Sequence, residues 1–302
     1  MDLERAYQHC HEVVAARAKN FVYSFWLLPP ARRRGLEAIY AYCRLADDFA
    51  DDDALPTEER ARLLADLRAR LRAALPQDGD PPPPALAPSP ELDPVMLALG
   101  DTAARFGVRR HDLDQVAVGC EQDLVKARYA NWGELRDYCY LVASCVGLGC
   151  LDVFGYRGEP ERARALATDL GLAMQLTNVI RDVREDLERD RIYLPMDELQ
   201  AHGVSEEALR AGRVDDAWRG FCRAQVQRAR DLFAQAAPLT ALVQRRSRIC
   251  PIALATIYQA VLRQVEANDY DVFSRRASLG SGRKLALLGN AMASTAFSAA
   301  TE

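Results

Sequence analysis

Apolar residues along this chain recur at every third or fourth position over long segments and almost nowhere alternate. Leu, Ala, Arg and Glu dominate those segments, which is the signature of amphipathic helices around a core. The spacing predicts helices near residues 2–20, 31–53, 57–75, 93–106, 109–127, 131–154, 158–189, 214–236 and 246–268, with a short one near 282–290. Pro29-Pro30 precedes the second, and Pro56-Thr57-Glu58-Glu59 opens the third with acidic residues in its first turn. The stretch Pro76 to Pro94 contains a run of prolines and cannot be helical. It reads as a polyproline-like surface connection (76–92), because the helices on both sides are needed for one core. No repeat of fixed period suggests a solenoid. The expectation is an all-α fold in a single domain, 1–302.

Two of these helices carry an ordered polar stripe. At about 100° per residue, Tyr40, Arg44, Asp47 and Asp51 share one face, and so do Gln175, Asn178, Asp182 and Asp186. One Asp-x-x-x-Asp spacing alone is most simply a solvated face. Here the first stripe crowds Asp47, Asp48 and Asp51 beside Asp52 and Asp53, which is unfavourable without bound cations. The second places two amides just before its aspartates, and core-facing amides need polar partners. Paired carboxylates offer the hard oxygen ligands that suit Mg²⁺, and Mg²⁺ with open positions suits a diphosphate. Arg44 and Arg181 would add guanidinium forks for phosphate oxygens, against the plainer alternative of Arg–Asp pairs within a helix. The Arg189-Asp-Arg-Ile-Tyr193-Leu-Pro195 segment is either a flap over such a site or a helix exit.

Composition narrows the classes further. With 39 basic and 43 acidic residues the net charge is −4, so no basic field points to nucleic acid. Eight scattered cysteines form no Cys-x-x-Cys pair, which argues for buried thiols in a reducing compartment and against a thiolate zinc site. The first residues lack a basic and apolar leader, and the run Leu141 to Leu151 is short of the ~20 residues that span a bilayer. A soluble cytoplasmic protein is expected, with contact at the periphery of an inner membrane left open. Gly280-Ser-Gly-Arg-Lys284 lacks the frame of a phosphate loop, and Gly147-Leu-Gly149 reads as close helix packing. None of the four histidines sits in a Glu-x-x-His pair, which removes a di-iron bundle.

Four ordered blocks resemble the squalene/phytoene synthases, the head-to-head members of the trans-isoprenyl synthase superfamily. They are Tyr40-Ala-Tyr-Cys-Arg-Leu-Ala-Asp-Asp-Phe-Ala-Asp51, the Asp137-Tyr138-Cys-Tyr-Leu-Val142-Ala143 block continuing to Gly147, Gln175–Asp186 with Arg191–Pro195, and Asn268–Ala277. The likeness runs from about Asn20 to Lys284. It implies an isoprenoid-synthase helical bundle with a central cavity. It also implies Mg²⁺, with Mn²⁺ as a substitute, on Asp47, Asp51, Asp182 and Asp186. Tyr40, Arg44 and Tyr193 are expected in catalysis. Gln175, Asn178, Arg181, Tyr258, Arg276 and Tyr138 are expected at the substrate, with Phe21, Phe25, Val142, Ala143, Val146 and Leu176 along an apolar tunnel. Many relatives carry serine where this chain has Asn20 in Lys19-Asn20-Phe21, and Lys19 and Asn20 are expected to contact phosphate instead.

The resemblance implies ionisation of one prenyl diphosphate, attack on the 2,3-double bond of a second, and proton loss to a cyclopropylcarbinyl diphosphate. Diphosphate, Tyr40 or Tyr193 is the candidate base. The Tyr138–Tyr156 and Asp169–Asp186 segments look most like bacterial presqualene diphosphate or squalene synthases using farnesyl diphosphate, and bulky Phe25 and Trp26 suit a shorter tunnel. The Asn268–Ala277 tail looks more like phytoene synthases using geranylgeranyl diphosphate. NADPH enters only if the reaction continues to squalene. An inactive helical scaffold is the non-enzyme alternative.

Overall fold

A computed structural model of the chain describes residues 2–17, 25, 28–81, 86–280 and 282–289. Lys19, Asn20, Phe21 and Trp26 lie outside the described residues. The fold is all-α, as the spacing predicts, and by internal packing the chain forms two compact units built from non-consecutive segments.

The first unit comprises residues 1–125, 145–164 and 241–250. Its centre is the helix Pro30–Asp51, which starts on a proline where no intrahelical N–H bond is needed. This helix packs against Leu3–Arg17, Thr57–Ala74, Leu92–Phe106, Arg110–Gln122 and Cys145–Phe154. Leu36, Ile39, Tyr42, Leu67, Leu99 and Leu113 fill that core, and truncating one such leucine to alanine costs about 2–5 kcal/mol. Gly35 permits the close approach, because a Cβ there would meet Thr102 Cγ2 at 3.1 Å and Phe106 Cε2 at 3.2 Å. Arg68 forks onto Asp114 at 2.9 and 3.0 Å and reaches Glu121 at 3.0 Å, tying the 57–74 helix to the 110–122 helix.

The second unit comprises residues 126–144, 165–240 and 251–302. Arg128–Tyr129 and Ile192–Pro195 form a short parallel pair that the helical reading did not anticipate. Asn131 caps the next helix by accepting the Glu134 N–H at 3.0 Å. That helix runs Trp132–Phe154 but widens into a π turn at Tyr140–Ser144. Gly171 makes the local packing feasible: a Cβ would fall 2.5 Å from Ser144 Cα. The same serine donates to Thr168 O at 2.8 Å. The 216–236 helix is capped by Asp215 and anchored where Trp218 Nε1 donates to Tyr270 O at 2.9 Å.

The helix expected over 158–189 divides into Pro160–Arg181 and Val183–Glu188. Asp182 leaves helical geometry at φ −101°, ψ 15°, yet the ladder carries through it. Asp182 N–H donates to Asn178 O at 2.8 Å and Asp186 N–H to Asp182 O at 3.0 Å, so the i, i+4 spacing of the acidic stripe survives. The 23-residue helix Trp132–Phe154 is long and apolar enough to cross a membrane by composition, but over half of its most apolar window is buried in the fold.

Candidate active site

The first acidic group belongs to the 30–51 helix. Tyr40, Cys43 and Asp51 are half-buried, whereas Asp47 is exposed. Desolvation nevertheless lifts the Asp47 carboxyl to about 7, with Arg44 opposing and Asp51 and Asp123 adding to the rise. An accessible group that is still crowded by protein is what a recessed surface produces. Arg44 gives its Nη2 to Asp48. This is the within-helix pairing that competed with the phosphate reading. Its Nε is buried with no hydrogen-bond partner among the described residues, a donor still available to an anion. Burial raises the Tyr40 hydroxyl, so the phenol stays neutral.

Two neighbours here were not legible in the spacing. Cys120 Sγ donates to Asp47 Oδ1 at 3.6 Å, and Asp123 adds a third negative charge near Asp47. Both come from the end of the 110–122 helix, whose own pattern signals only a buried face.

The second acidic group forms in the other unit. Arg181, mostly buried, forks onto Asp182 through Nε at 2.7 Å and through Nη2. Arg276 donates to the same Asp182 Oδ1 at 2.7 and 2.9 Å, and its Nε lies 3.1 Å from Glu185 Oε1 as an ion pair. Asn178 Nδ2 donates to Gln175 Oε1 at 3.1 Å. Its side chain also pairs with the buried Tyr258 hydroxyl, which Arg181 faces. Lys284, absent from the expected site residues, joins this cluster: burial and Arg181 together lower its ammonium. Gln175, Asn178, Arg181, Asp182, Tyr258 and Arg276 are thus gathered in one place.

The remaining expectations divide. Tyr193 stacks on Tyr138 at 5.0 Å and on Tyr129 at 5.6 Å, and Lys126 sits 4.7 Å over the Tyr129 ring. Tyr193 also shares a small cleft with Asp186 and Arg191. Val142 and Ala143 lie in the π turn and Val146 follows it, all three partly accessible. Phe25 is almost wholly buried. Leu176, expected on a tunnel wall, is 0% exposed.

Among the described residues no three acidic, His or Cys side chains are already gathered as a metal cage. The donor set still fits Mg²⁺, which is commonly held by one or two carboxylates with waters and substrate phosphates supplying the rest. Buried Asn178 Oδ1 and Glu185 Oε2 have no hydrogen-bond partners among the described residues, as oxygen ligands awaiting a cation would.

Comparison with known proteins identifies the architecture. The family profile for squalene/phytoene synthase matches residues 14–283. This chain belongs to that family. Members condense prenyl diphosphates head to head, and a divalent metal serves in diphosphate binding across the family. Among curated relatives, the chain is 38% identical over 290 residues to phytoene synthase 2, chloroplastic, of Solanum lycopersicum, covering 95% of this chain and 89% of that one. It is 39% identical over 293 residues to phytoene synthase 3, chloroplastic, of Zea mays, covering 96% of this chain but only 66% of the relative. Among solved structures it superposes on a dehydrosqualene synthase with a TM-score of 0.84 and 26% identity over 96% of both chains. A squalene synthase from Alicyclobacillus acidocaldarius gives a TM-score of 0.78 at 26% identity, over 89% of this chain and 96% of that one. The all-α isoprenoid-synthase fold is therefore that of this family member.

Proposed function

We propose that this synthase joins two farnesyl diphosphates head to head into presqualene diphosphate, releasing inorganic diphosphate and a proton. The observation that carries the reading is the recurrence, at two places, of spaced carboxylates with an arginine beside them, Arg44 by Asp47 and Arg181 on Asp182, in a chain of this family. Asp47 and Asp51 on the 30–51 helix, with Asp182 at the break after Arg181 and Asp186 in the 183–188 helix, would hold Mg²⁺, or Mn²⁺ in its place. When bound, the cation neutralises the leaving diphosphate and makes it depart readily.

The chain's own side chains do the rest. Arg44 turns its unpaired Nε to phosphate oxygens, and Arg181, Arg276 and Lys284 add donors in the second group. Lys19 and Asn20 are proposed as further phosphate contacts. Partly accessible Val142, Ala143 and Val146, with buried Phe25, keep water from the allylic cation. The stacked rings of Tyr138 and Tyr193 present negative faces to passing positive charge. Neutral Tyr40 is a poor base, so released diphosphate takes the proton that closes the cyclopropane. A single synthase domain over residues 1–302 is proposed. The protein is proposed to work in the cytoplasm, at the periphery of the inner membrane where its apolar product partitions.

A second reading has its own support. The phytoene synthases above match at 38–39% identity, against 26% for the dehydrosqualene and squalene synthase structures, which favours geranylgeranyl diphosphate as substrate. The farnesyl reading rests on the Tyr138–Tyr156 and Asp169–Asp186 segments. Incubating the protein with each diphosphate alone and with both together, with and without NADPH, then identifying the extracted lipids by mass spectrometry, separates the two. The proposal expects a C30 cyclopropyl diphosphate from farnesyl diphosphate. A C40 product formed in preference carries the second reading, and no product from either substrate overturns both.

A further inference from the structure

We propose that Cys120 is a positioning residue for the first metal-binding carboxylate, its thiol holding Asp47 by Oδ1 and leaving Oδ2 to a divalent cation. This inference rests on the reading of Asp47 as a metal ligand given above.

Cys120 lies near the end of the 110–122 helix, 2% exposed, with Sγ 3.6 Å from Asp47 Oδ1. A carboxylate oxygen accepts, so the S–H is the donor. Among the described residues this is the side-chain hydrogen bond that Asp47 makes, because Arg44, one turn earlier on the same stripe, gives its guanidinium to Asp48. The thiol does not hang on a mobile tether. Its neighbour Glu121 and, two turns earlier, Asp114 are both clamped by Arg68 from the 57–74 helix. The donor therefore arrives from a fixed platform.

The choice of donor matters chemically. An arginine at this place would cancel the carboxylate's charge and compete with the cation for it. A thiol is a weak, neutral donor that fixes one oxygen and leaves the negative charge intact for a hard metal. The same device would help order a carboxylate that stands beside the charges of Asp51 and Asp123. Hydrogen-bond partners of metal ligands are worth about 10–100-fold in metal affinity, and a weak thiol donor places the effect near the lower end.

The test uses the full chain with Cys120→Ala, the isosteric Cys120→Val and the donor-retaining Cys120→Ser. Mn²⁺ binding without substrate is read from the free-ion signal in electron paramagnetic resonance. The Mg²⁺ concentration for half-maximal condensation and the thermal midpoint in EDTA are measured beside it. The expected result is Mn²⁺ affinity about tenfold weaker in the Ala and Val variants, the Mg²⁺ requirement raised by a like factor, and both restored in the Ser variant. Unchanged Mn²⁺ affinity in folded Ala or Val protein, with or without a lower midpoint, makes Cys120 core packing and overturns the inference. So does a Ser variant as impaired as the other two. If wild-type protein neither binds Mn²⁺ nor loses activity in EDTA, the reading of Asp47 itself fails, an outcome that the wild-type control alone reveals.

Discussion

Replacing Asp47 by asparagine should raise the stability of the metal-free protein while abolishing turnover. The carboxylate sits where desolvation, Asp51 and Asp123 all oppose its charge, outweighing Arg44 and lifting it from the usual 3.8 to about 7. Taken as a buried charge, that rise corresponds to about 4 kcal/mol, at ~1.36 kcal/mol for each tenfold change in proton affinity. Asp47 is exposed to solvent, and screening reduces the figure to about 1–2 kcal/mol. The sign follows from linkage. The folded state retains its proton between about pH 4 and 7, so this group's contribution to stability falls as pH rises across that window and is least above it. The neutral amide removes the penalty and still accepts from Cys120. In EDTA at pH 8 the Asp47→Asn midpoint should therefore exceed wild type by about 2–8 °C, at ~2–4 °C per kcal/mol. The difference should shrink towards zero near pH 4. Differential scanning fluorimetry across pH, beside a radiolabelled product assay, measures both effects. A variant less stable than wild type at pH 8, or one that still turns over at a normal rate, refutes the reasoning.

Other substitutions should behave differently. Asp182→Asn should also abolish turnover but destabilise the protein by about 1–3 kcal/mol, because Arg181 and Arg276 both lose a charged acceptor; an unchanged urea midpoint would contradict the arginine fork. Arg44→Lys should raise KM for the diphosphate substrate, since an ammonium cannot replace a two-pronged donor, while stability shifts by under ~1 kcal/mol for a half-exposed pair with Asp48; wild-type kinetics would reduce Arg44 to that pair. Phe25→Ala should cost about 3–5 kcal/mol as a buried truncation and shift preference from farnesyl towards geranylgeranyl diphosphate; a folded variant with an unchanged product ratio makes Phe25 packing alone.

The parts of this molecule that follow from local periodicity were legible in the sequence. The helical stripes, the all-α class and the pairing of Gln175 and Asn178 beside Asp182 all depend on spacing along one helix, and they stand in the fold. What depends on contacts distant in sequence was not legible. No local signal distinguishes Cys120 from seven other cysteines, and only tertiary packing brings it to Asp47. Lys284 joins Arg181 across about a hundred residues of chain for the same reason. The break at Asp182 has no proline or glycine to announce it; the adjacent Arg181 fork accompanies it. The π turn at Tyr140–Ser144 is paired with Gly171, whose missing side chain is visible in sequence but whose partner is not.

The most direct test of the central claim is release of inorganic diphosphate from farnesyl diphosphate by the purified chain, titrated with Mg²⁺ after EDTA treatment. The account predicts no release without metal, release restored as Mg²⁺ is added, and a cyclopropylcarbinyl diphosphate formed in step with it, one for each diphosphate released. Release that is indifferent to EDTA, or none with either prenyl diphosphate at saturating Mg²⁺, would contradict it.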